Sequence, residues 1–176
     1  KGLKYLKNVQ DPEGCFGPRG YEHFTYAQAC ATLAMCENYG ATKQNYWKKP
    51  AQSSVDFCQL CRNPYKAWRY GMKPGDNDTS VTGWMLMAMH SGRDADLVVD
   101  TSAMTEALQY VELMTDEDSG RTGYRHKGEL PVRRDGTTPW PTPATASPTP
   151  LAMLPRMLRH AAQAHPSTPS ARCTTR

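Results

Sequence analysis

No apolar run in this 176-residue chain approaches the roughly 20 positions that a membrane-spanning helix needs. No span is therefore expected. A leader with a basic end, an apolar centre and a small-residue cleavage site is also missing. The chain opens at Lys1, already in an amphipathic pattern, as expected for a piece of a longer protein. The body lacks a basic excess: residues 1 to 130 hold 15 Lys and Arg against 16 Asp and Glu, a net of −1. The overall charge of +4 comes from residues 131 to 176, with 6 Arg and 1 Asp. The body therefore offers no electrostatic case for nucleic acid, and six Arg spread over the last 46 residues make a poor one. There is no G-x-x-x-x-G-K-[ST] phosphate loop and no Ser-centred nucleophile elbow. The six cysteines lack the pattern of a small secreted disulfide framework, which favours a reducing compartment.

What is present is a repeat. Three glycine-aromatic turns, "DPEGCFGPRG" (11 to 20), "NPYKAWRYG" (63 to 71) and "DEDSGRTGY" (116 to 124), place Phe16, Tyr70 and Tyr124 at intervals of 54 residues. An amphipathic segment precedes each turn: "GLKYLKNVQ", "AQSSVDFCQLC" and "SAMTEALQYVELM". In the third, Met104, Leu108 and Val111 recur at helical spacing. A different helix follows the first two turns. Phe24 to Cys36 and Thr79 to Met89 contain no charged side chain, and a helix apolar all round must be enclosed. Gly40 and Gly92 are expected as C-terminal stops. The unit is an amphipathic helix, a turn and a buried helix, which stacks with buried helices inside. The expected fold is all-α.

The turns resemble degenerate Q-x-x-x-G-x-W motifs. "QDPEGCFG" keeps Gln10 and Gly14, with Phe16 for the tryptophan, while Arg62 stands where the second turn would have glutamine. With "NPYKAWRYG" and "GDNDTSVTGW", residues 1 to 130 are similar to prenyltransferase and squalene-oxidase repeat proteins of bacteria, in the terpenoid-cyclase and protein-prenyltransferase superfamily. The resemblance implies a partial α/α toroid, with two complete helix-hairpin repeats and the start of a third, too few to close a ring. It implies a binding or scaffold module for a peptide, glycan, or isoprenoid or other lipid-like ligand. The alternative is a terpene-cyclase-like or prenyltransferase-like enzyme acting on an isoprenoid. The GCGEQ sequence of thioester-bearing toroids does not occur, and no cofactor is expected.

The cyclases' D-x-D-D-T-A motif, whose central Asp protonates an alkene or epoxide, aligns with Gly75 to Ser80. Asn77 then falls on the donor, and an amide has no proton to give near neutral pH. Asp76 and Asp78 remain as catalytic candidates. Asp78 is equally suited to capping the helix that follows, and "KPGDN" ahead of it is a turn signal; the cap is the favoured role. The resemblance also places His23, Tyr26, Trp68, Tyr70 and Trp84 as candidates to line a ligand pocket, where aromatic faces stabilise cations. Filling the space between helices is their ordinary alternative. Cys58 and Cys61 have the C-x-x-C spacing of a metal or redox pair. No second pair completes a zinc site, so packing on one helix face is favoured.

After "ELPVRRDG" the last forty residues contain eight Pro and eight Thr, which disfavours a third inner helix. Residues 131 to 176 are expected to be either a disordered linker or the product of a shifted reading frame beyond Gly136. The second is favoured, and it predicts that another frame of the coding DNA restores an apolar helix there.

Overall fold

The computed structural model describes residues 1–128 and Met153. Five helices follow in order: α1 (Gly2–Val9), α2 (Phe24–Thr42), α3 (Asn45–Cys61), α4 (Thr79–Asp94) and α5 (Thr101–Leu113). The described residues contain no strand beyond two isolated bridges, Gln10 with Phe16 and Thr115 with Thr122, so the fold is all-α. No helix among them is long and apolar enough to cross a membrane. Apart from Met153, the residues on which the expectations for 131 to 176 rest lie outside the described ones.

The two charge-poor segments form the interior. Val81, Met85, Leu86, Ala88 and Met89 of α4 are fully buried, each large side chain contributing about 1.5–3 kcal/mol through removal from water. Their most extensive partner is α2, which buries Phe24, Ala29, Met35 and Cys36. The α3 helix covers this pair with one face, through Ala51, Ser54, Val55 and Cys58, at the i, i+3, i+4, i+7 spacing of an amphipathic helix. Asp100 starts α5 by accepting from the backbone N–H groups of Ser102 and Ala103 at 2.9 and 3.0 Å.

Neither expected glycine stop ends a helix. The α2 helix runs through Gly40 to Thr42 and is closed by Lys43 in the left-handed conformation, φ 49°. The Lys43 Nζ donates to the Ala95 carbonyl and to Asp96 Oδ2. Gly92 lies within α4, where an added Cβ would stand 3.0 Å from Val55 Cγ2 and 3.5 Å from Cys36 Sγ. At Gly40 the nearest atom would be Ala95 Cβ at 3.3 Å. Both glycines serve close approach between elements rather than termination.

The register of the repeat also differs between its parts. Each of the first two turns is pinned to the inner helix that follows. The Phe16 N–H donates to Gln28 Oε1 at 2.9 Å, and the Trp68 N–H donates to Thr82 Oγ1 at 3.2 Å. Gln28 and Thr82 are 54 positions apart, yet Phe16 and Trp68 are 52 apart. The counterpart of Phe16 is therefore Trp68, whereas Tyr70 and Tyr124 form a separate matched pair. The Gln10 side chain donates to the carbonyls of Gly14 and Pro50. Arg62 repeats this one unit later, donating to the Lys66 carbonyl and pairing with Glu106 at 2.6 Å. A side chain at this position ties its own turn to the next outer helix, and a guanidinium can replace the amide.

Candidate functional site

The N-terminal ends of α2 and α4 bring most of the candidate residues together. Asp78 caps α4: its Oδ1 accepts from the Val81 N–H at 2.8 Å and from the Ser80 hydroxyl at 3.1 Å. The side chain is fully buried, and Oδ2 has no hydrogen-bond partner. Burial raises the carboxyl's pKa above its ordinary value of 3.8; the bonds from Val81 and Ser80 and the charge of Arg69 oppose that shift. One oxygen thus caps the helix while the other is left as a desolvated, protonatable atom. An Asp78→Asn variant keeps the capping oxygen and should unfold within about 1 kcal/mol of the parent. Asp78→Ala removes the cap and should cost about 2 kcal/mol. Equal losses in a denaturant titration of the two variants would contradict the capping role.

The neighbours of Asp78 are committed to the turn. The Asn77 Oδ1 accepts from Asn63 Nδ2 at 3.0 Å and from the Ala67 N–H at 3.1 Å, and its carbonyl accepts from the Tyr110 hydroxyl. Asp76 pairs with Arg69 at 2.7 Å, with its side chain 59% exposed. Thr79 ties the start of α4 to the third turn, through its N–H to the Tyr124 carbonyl and its hydroxyl to the Gly123 carbonyl.

Beside this cap lie three of the candidate rings. The centroid of His23 is 4.2 Å from that of Tyr70 and 6.4 Å from that of Tyr26, and Tyr26 and Tyr70 are 5.9 Å apart. The Tyr26 hydroxyl hydrogen-bonds Ser80, and Tyr70 hydrogen-bonds Tyr124. Burial pushes the Tyr26 phenol up to about 12 and raises that of Tyr124 as well. Tyr124 was not among the sequence candidates, although its 54-residue spacing from Tyr70 marked it. Trp68 is elsewhere. It is fully buried, and its Nε1 donates to the Cys58 carbonyl at 2.7 Å, so it fills the core beneath its turn.

Trp84 belongs to a longer feature. Tyr26, Cys30, Leu33 and Glu37 share one face of α2 at i, i+4, i+7 and i+11, and all four retain exposure. Their counterparts 54 residues on are Ser80, Trp84, Met87 and Ser91, of which the first three are half-buried and Ser91 is 9% exposed. The two rows are joined at one end by Tyr26 and Ser80, and at the other by the Ser91 hydroxyl donating to Glu37 Oε1 at 2.6 Å. The inner helices therefore lie side by side without axial offset. An uncharged strip about 16 Å long runs between the two polar crossings. It was hidden in the sequence because helices apolar on every side reveal no preferred face.

Cys58 and Cys61 both point into the core and are fully buried. Burial pushes their thiols up to about 11 and about 12, which holds them protonated, and Cys58 Sγ contacts the Thr32 hydroxyl at 3.4 Å. Among the described residues, no three His, Cys, Asp or Glu side chains are grouped to hold a metal ion. A comparison with family models, with curated proteins and with solved structures gives no match to this chain.

Proposed function

We propose that residues 1 to 130 form part of an α/α toroid of the terpenoid-cyclase and prenyltransferase repeat type. Its activity is to bind an apolar ligand, isoprenoid or otherwise lipid-like, along the α2–α4 strip. The observation that carries this proposal is the strip itself. Inner-helix residues are expected to be enclosed, yet Cys30, Leu33, Trp84 and Met87 retain exposure in register on two adjacent helices. An uncharged surface ending in a few placed polar groups suits an apolar ligand with a polar end. Here the ends are Tyr26–Ser80 and Glu37–Ser91.

Trp84 is a built-in probe. Titration with farnesol should change its fluorescence saturably, and Trp84→Phe should remove that signal. Met87→Asp, a half-buried position, should weaken binding at least tenfold, since a carboxylate would have to be desolvated against the ligand. Non-saturable signals, or equal binding by Met87→Asp, would reject the site. The second proposal is an isoprenoid-converting enzyme, favoured by the unpartnered Oδ2 of buried Asp78. It requires turnover of squalene or a prenyl diphosphate that disappears in Asp78→Asn, the variant expected to keep the helix cap.

A further inference from the structure

The second turn departs from the first in a way that stability alone does not explain. In the first, Pro12 and Glu13 occupy the centre of a turn closed by the Gly14 N–H to the Asp11 carbonyl, and the left-handed residue is Gly14, φ 98°. In the second, the Lys66 N–H closes on the Asn63 carbonyl, and the left-handed residue is Tyr65, φ 57°. Pro64 followed by a positive-φ residue is the pattern of a type II turn, whose third position strongly favours glycine. A tyrosine there is a costly choice, and such strain concentrates at functional sites. The ring is also 84% exposed, so burial gives nothing back.

Tyr65 stands at the rim of a cleft of about 540 Å³ between this turn, α5 and residues 125–126. The cleft is lined by Lys66, Asp76, Glu106, Gln109 and Tyr110, among others. Both carboxylates are already paired, Asp76 with Arg69 at 2.7 Å and Glu106 with Arg62 at 2.6 Å, so the cleft has no uncompensated charge from them to attract a cation. The exposed Tyr65 ring, the Gln109 amide, the paired carboxylates and the basic side chains of Lys66 and Arg125 set an aromatic face among hydrogen-bond donors and acceptors, which suits a ligand rich in hydroxyl groups. The volume falls within the range of small-molecule pockets. We propose that the cleft beneath Tyr65 binds a mono- or disaccharide, with the Tyr65 ring stacking on a sugar face and Gln109, Asp76 and Glu106 hydrogen-bonding its hydroxyls. This site is separate from the α2–α4 strip and does not depend on the strip's ligand.

Ligand-observed NMR with maltose, cellobiose, lactose and chitobiose tests it. At least one should give saturable binding to the full chain. Tyr65→Ala should weaken that binding at least about tenfold, as expected for an exposed aromatic anchor, and Tyr65→Trp should retain it. Tyr65→Gly should lose binding while raising the thermal midpoint by roughly 2 to 4 °C, because the turn conformation is then unstrained. Absence of binding across the four sugars, or equal binding by Tyr65→Ala, overturns the proposal. A Tyr65→Gly midpoint at or below the parent's overturns it as well, since no strain would then call for a functional reason.

Discussion

A Gly14→Ala variant should melt roughly 15 °C below the parent, or fail to fold. Two effects add. Gly14 has φ 98°, a conformation that L side chains rarely adopt. The added Cβ would stand 2.0 Å from the Ser53 carbonyl oxygen and 2.5 Å from its carbon. Those are backbone atoms within α3, and they cannot rotate aside as a side chain would. Strain of one to a few kcal/mol, with overpacking of similar size, sums to about 4 kcal/mol. The displaced turn would also disturb the buried amide of Gln28, whose Nε2 donates to the Gly14 carbonyl while its Oε1 accepts from Phe16. Thermal unfolding followed by circular dichroism gives the result directly. A midpoint within about 3 °C of the parent would mean that the turn is not packed on α3 as described.

Acid should destabilise the protein through His90, by up to about 3 kcal/mol between pH 6.5 and pH 4. The ring is 2% exposed. Arg93 Nη2 lies 3.0 Å from His90 Nδ1. The guanidinium can only donate, so the neutral ring carries its hydrogen on Nε2, a buried nitrogen without a partner. Burial, and then the charge of Arg93, lower the pKa from 6.5 to about 4, and Asp94 only partly opposes them. The folded pKa is depressed, so the unfolded chain takes up a proton near pH 6.5 that the folded chain refuses until about pH 4. The stability is complete above 6.5 and is lost as pH falls across that window. Other groups titrate in the same range, so the comparison is with His90→Met, whose unfolding free energy should fall less steeply. Parallel pH profiles for the two proteins would refute a buried neutral His90.

The alternation of enclosed and covering helices was legible because it rests on charge: thirteen successive uncharged positions from Phe24 to Cys36 leave a helix nowhere to face water. The Asp78 cap was legible too, since an acidic residue between a turn signal and an apolar run has a local chemical reason to be there. Glycine was not. Gly40 and Gly92 look like stops along the chain, and only the positions of Ala95, Val55 and Cys36 reveal them as points of contact. The register of the turns misled for a related reason. Equal spacing of Phe16 and Tyr70 suggested equivalence, but the backbone bonds to Gln28 and Thr82 pair Phe16 with Trp68. Two residues gained after Trp68 restore the spacing of the inner helices. The partition of the candidate aromatics, three clustered at the helix ends and Trp68 in the core, depends on that shift.

The ties between Tyr26 and Ser80, Tyr70 and Tyr124, and Glu37 and Ser91 each join positions 54 apart. A chain knitted at one constant separation acquires its native contacts by loop closures of one recurring length, each with about the same entropic cost as the one before. Assembly can then spread from a first docked pair of helices like a zipper, every added unit finding its template already in place.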